Sequence, residues 1–148
     1  MPKTSITLFT FFLILTTGCL DFGEDIVTTN PTAEQLEFCE TVMHLNEELV
    51  YEPIGLKILG SGIDDAVWFC FTTQETDISK IFLPEYIPSD SLNKEINIYS
   101  PENLPNWWDI TDKDLIGGTF EITGGTFISI GIARNNIGYT IYIFWHEN

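Results

Sequence analysis

Positive charge is scarce in this sequence. Lysine and arginine number 6 against 22 aspartates and glutamates, leaving a formal net charge of −16. A surface of that sign repels phosphate, which argues against nucleic acid and against docking on anionic lipid headgroups. Histidine is nearly as rare. Only His44 and His146 occur, with no Cys-x-x-Cys pair and no His-Glu-x-x-His, so the spacings of a zinc site are missing. Gly60-Ser61-Gly62 falls short of the Gly-x-Ser-x-Gly nucleophile elbow. Cys39 and His44 stand five apart on one expected helix and so do not face each other. Asp64-Asp65 and the run Asp109, Asp112, Asp114 lack the twelve-residue spacing of an EF-hand loop and read as solvated turns. The sequence therefore leads us to expect no metal, no cofactor and no catalytic group, although 22 acids leave paired carboxylates for a hydrolytic enzyme formally open.

Apolar content is not lacking. Hydrophobic residues make up 44% and aromatics 14%, too much for a disordered acidic chain. Helix signals begin at Asn30-Pro31-Thr32: either Asn30 caps with Pro31 at the first helical position, or Thr32 and Gln35 form a capping box. Leu36, Cys39, Val42, Met43, Leu45, Leu49 and Val50 then recur at helical spacing, which predicts a long helix over 32–50, ended by Pro53. Period two follows at Ile54, Leu56 and Ile58 and again at Val67, Phe69 and Phe71, predicting a hairpin. Thr76 or Asp77 caps a short second helix with Ile78, Ile81 and Phe82, stopped by Pro84. Residues 84–115 carry Pro84, Pro88, Pro101 and Pro105 and read as irregular, with one strand at 96–99. Beyond them come three strands, turning at Gly124-Gly125 and at Asn135-Asn136-Ile137-Gly138. The expected fold is α+β: an antiparallel sheet of about five strands, one long N-terminal helix packed on one face, and a short second helix.

The N-terminus carries the most specific motif. Lys3 precedes an apolar run from Ile6 to Leu15, then small residues lead to Gly18-Cys19. The run is too short to span a bilayer core of about 30 Å, which needs roughly 20 apolar residues, and has the build of a cleaved export signal. It resembles the signal of bacterial lipoproteins. The resemblance implies removal of 1–18, lipid on Cys19 as the new N-terminus, and a place on the membrane of the bacterial cell envelope, facing periplasm or exterior. Residues 19–31 then read as a short acidic tether and 32–148 as a single domain. That domain keeps Lys57, Lys80, Lys94, Lys113 and Arg134 as its basic residues.

With Cys19 lipidated, Cys39 and Cys70 are left as a candidate disulfide, worth roughly 3–4 kcal/mol for a loop of about 30 residues. Both sit among apolar neighbours, so two buried free thiols are the other reading. Trp107-Trp108, followed by Asp109, stands in an irregular stretch where the indoles either staple the loop to the core or bind a ligand. The leading expectation is a non-catalytic, membrane-tethered acidic lipoprotein that binds a cationic protein, as immunity or inhibitor proteins do. A small-ligand or carbohydrate-binding module using Trp107 and Trp108 comes second, and a hydrolytic enzyme third.

Overall fold

The computed structural model describes residues 24–60, 65–100 and 102–147. In chain order the strands are β1 Ile26–Thr28, β2 Tyr51–Leu59, β3 Ala66–Thr73, β4 Lys94–Glu95, β5 Ile116–Glu121, β6 Thr126–Arg134 and β7 Tyr139–Glu147; helix α1 spans Ala33–Val42. They form one sheet of order β1-β2-β3-β7-β6-β5-β4, antiparallel at every pairing. This overturns the α+β expectation of about five strands, one long N-terminal helix and a short second helix. The described residues form mostly a seven-stranded antiparallel sheet, and the one α-helix among them has 10 residues.

The helix starts as the capping box predicts. The Thr32 hydroxyl accepts from Gln35 N–H, and the Gln35 side chain accepts from Thr32 N–H. It stops early because His44 adopts a left-handed conformation, with φ of 53°. Leu45 N–H then reaches back to the Glu40 carbonyl and His44 N–H to that of Thr41. These are the two closing bonds of a Schellman motif, with histidine where glycine is usual. Beyond it Leu45 bridges Phe82, so the apolar period that runs on toward Val50 serves a different strand-like contact. Val50 itself is 84% exposed. The same bridge draws Phe82 out of the expected second helix, leaving a single 3-10 turn at Ile78–Lys80 and another at Ser89–Ser91.

Two further expectations change. Residues 26–28 are not tether but the edge strand β1, held to β2 by the ladder and by Gly60 N–H donating to Asp25 Oδ1. The short strand of the proline-rich stretch lies at Lys94–Glu95 rather than at 96–99, where Ile98 instead turns its side chain into the core.

Period two sends alternate side chains to opposite faces of the sheet, and both faces are covered. On the helix face Leu56, Phe69, Phe71, Ile130, Ile141 and Ile143 pack beneath Cys39 and Met43 of the helix region and beneath Ile81 and Phe82. On the other face Trp68, Cys70, Tyr142 and Phe144 pack beneath Ile98, Trp108, Ile110 and Leu115 of the irregular stretch. The inner strand β3 is thus buried on both sides over almost its whole length.

Candidate partner-binding surface

Cys19 and the export segment lie outside the described residues, as do Ser61 and Asp64. Cys39 and Cys70 are both buried free thiols. Cys39 belongs to the helix-face core and Cys70 to the loop-face core, so the sheet stands between them. The candidate disulfide is thereby corrected to two separate thiols. Burial pushes each thiol up to about 12, which keeps both protonated and poor nucleophiles. His146 pairs in register with Ala66, four residues from Cys70 along the strand, so no Cys-His couple is built there.

The tryptophan pair serves as a staple. A Cβ placed on Gly55 would lie 2.2 Å from the Trp107 indole, so the ring rests directly on the β2 backbone. Trp108 is 5% exposed, packs edge-on against Tyr142 at 5.5 Å and donates its indole N–H to Ser100 Oγ at 3.1 Å. One face of Trp107 and nearly all of Trp108 are spent in holding the loop down. The neighbouring Asp109 is exposed and pairs with Lys113 at 3.2 Å. Gly55, a glycine inside a strand, was the sequence signal for this packing.

Charge is distributed unevenly. The Asp109–Lys113 contact is the sole ion pair among the described residues. Two other cations are turned onto rings instead, Lys57 at 5.3 Å from the Trp68 centroid and Arg134 at 6.0 Å from Tyr139, while the paired Lys113 also lies 5.9 Å from Tyr142. On α1, Glu34, Glu37 and Glu40 stand exposed, and Glu40 accepts from the Tyr51 hydroxyl at 2.7 Å. Most carboxylates therefore face solvent without a cation beside them. Among the described residues no group of three or more His, Cys, Asp or Glu is arranged to hold a metal ion, and no helix is long and apolar enough to cross a membrane.

One concavity stands out, a cavity of about 590 Å³ at the end of the sheet where β2 begins and β3 ends. The loop after α1 supplies Glu48 and Val50, β2 supplies Tyr51 and Glu52, and Glu75, Lys80 and Ile137 complete the rim. None of these residues was singled out by the sequence as a joint site, because they come from four separate segments. A second, smaller cavity of about 230 Å³ lies under the irregular stretch, lined by Ile96, Ile110, Lys113 and Leu115 among others. No family model matches the chain, no curated protein is detectably similar to it, and no solved structure matches its fold.

Proposed function

We propose that this chain is a lipid-anchored envelope protein, tethered through Cys19, whose acidic domain binds a cationic protein in the manner of an immunity or inhibitor protein. The anchor rests on the Lys3–Cys19 signal. The observation that supports the binding role is the uncompensated surface: one ion pair, made by Lys113, is present among the described residues, while Lys57 and Arg134 sit on aromatic rings. Such a field accelerates encounter with a basic partner and weakens as salt shortens the Debye length, from about 30 Å at 0.01 M to about 3 Å at 1 M. A hydrolytic role gains no support from the thiols, which burial holds protonated.

Two measurements test the proposal. Intact mass of protein taken from native membranes is expected to show residues 19–148 carrying acyl chains; a mass without acyl chains or a retained leader refutes the anchor. Capture at low ionic strength is expected to yield a stoichiometric basic protein whose association rate falls at least about tenfold between low and high salt. A rate indifferent to salt refutes the electrostatic role.

A further inference from the structure

We infer that the cavity at the end of β2 and β3 is the docking point for that partner and that it receives a short basic, partly aliphatic segment, an arginine or lysine beside an apolar residue. The inference rests on the acidic-binding reading above and assigns it to one place.

The lining is chemically mixed in a way that suits such a segment. Glu48, Glu52 and Glu75 contribute three carboxylates against the single ammonium of Lys80, and Lys80 is already under the influence of Asp77. Val50 and Ile137, 84% and 62% exposed, place two aliphatic side chains at the rim. Large apolar groups left in water beside carboxylates match the two parts of an arginine: a stem that seeks apolar cover and a guanidinium that takes carboxylate oxygens in pairs. A small neutral ligand would leave the carboxylates unmatched, and an anionic one would be repelled.

The walls are fixed before anything binds. Thr73, 3% exposed, donates its hydroxyl to the Val50 carbonyl at 2.8 Å and accepts from Glu75 N–H at 3.1 Å, pinning two walls to the end of β3. Glu75 Oε1 in turn accepts from Thr76 and Asp77 N–H, both at 2.9 Å. The third wall is the β6–β7 hairpin. A Cβ on Gly138 would lie 2.1 Å from the Thr73 carbonyl, so the hairpin backbone is seated directly on β3. Asn135 Oδ1 accepts from Ile137 and Gly138 N–H, which holds Ile137 at the rim. A preformed concavity of this size, within the range of about 300–1,000 Å³ usual for binding sites, loses little entropy on receiving a side chain.

The test uses the full chain in non-ionic detergent, titrated with the capped tripeptide arginine-leucine-arginine and watched by the methyl resonances of Val50 and Ile137. Those methyls are expected to shift, and Glu48→Gln/Glu52→Gln is expected to weaken binding about tenfold, as loss of charge-assisted hydrogen bonds does. Glu34→Gln/Glu37→Gln, which removes the same charge from α1, is expected to change it less than about twofold. Amide spectra of both variants confirm that the fold is retained, since all four carboxylates are exposed. Equal losses in the two variants, or methyl shifts elsewhere, would overturn the site while leaving a diffuse acidic surface standing. Absence of any salt-sensitive binding of the arginine peptide, relative to glutamate-leucine-glutamate, would overturn the site and the acidic-binding reading together.

Discussion

The two faces of the sheet are built on different principles. The helix face is deep and richer in aliphatic side chains: Leu56, Ile128, Ile130, Ile132, Ile141 and Ile143, with Phe69 and Phe71, are sealed by side chains from α1 and the segment around Ile81. The loop face is aromatic, and it is closed by chain without regular structure, laid so close that Trp107 touches backbone at Gly55. Polar accounting differs as well. The buried indole nitrogens of Trp68 and Trp107 and the His146 Nδ1 lack partners, and Trp68 and Trp107 belong to the loop-face core. A helix satisfies its own backbone and can cover a sheet with apolar side chains alone, whereas an irregular cover must anchor itself with large rings that bring polar atoms inside.

Truncations should expose that contrast most strongly. Phe69→Ala, at the middle of the helix face, is expected to lower stability by about 3–5 kcal/mol, read from the urea midpoint. Phe144→Ala on the other face is expected to fall at or below the low end of that range, because an irregular loop collapses into a cavity more readily than a helix does. Equal losses would mean that the loop is as rigid as the helix. Next in size is Gly55→Val, whose side chain would occupy the position of the Trp107 ring. It is expected to cost about 1–3 kcal/mol as overpacking and to red-shift tryptophan fluorescence as the loop lifts.

Alkali probes both faces at once, since each holds one thiol. Cys39 and Cys70 keep their protons in the folded state up to about pH 12, whereas the unfolded chain releases them near the ordinary value of 9.0. The folded state therefore binds more protons above that value. The thiol contribution to stability is complete below it and is lost progressively as pH rises toward 12. Cys39→Ala/Cys70→Ala should flatten the alkaline limb of the stability curve, and the single variants apportion the slope between faces. The smallest expected effect separates the two neighbouring indoles. Trp108→Phe removes a hydrogen bond to Ser100 and should destabilise by about 1 kcal/mol more than Trp107→Phe, whose nitrogen has no partner to lose.

The strands with two-residue alternation were legible. Val67, Phe69 and Phe71, and Ile128, Ile130 and Ile132, declare both their period and their buried face. What stayed hidden depended on partners distant in sequence. The helix stops at His44, a residue with no stop signal of its own, because Leu45 is claimed by Phe82. Ile26–Thr28 reads as tether because three residues carry no period, and becomes a strand only when Ile58, Lys57 and Leu56 are alongside. The cavity was illegible for the same reason: Glu48, Glu52, Glu75 and Ile137 acquire a common location only through the pairing of β2 with β3 and the seating of the β6–β7 hairpin.

The strand order also governs when this fold can form. The N-terminal strands β1, β2 and β3 and the later strands β4, β5 and β6 meet only through β7, whose Tyr139 pairs with Thr73 and whose His146 pairs with Ala66. Contacts between residues so far apart along the chain are slow to find, typically on the millisecond-to-second scale for such topologies. Neither half can close its core until β7 has emerged. A chain cut before Tyr139 is accordingly expected to show no cooperative unfolding transition, and an ordered intermediate in that truncation would contradict this. Under the export proposed above, late closure has a use: the chain stays threadable until its central strand arrives.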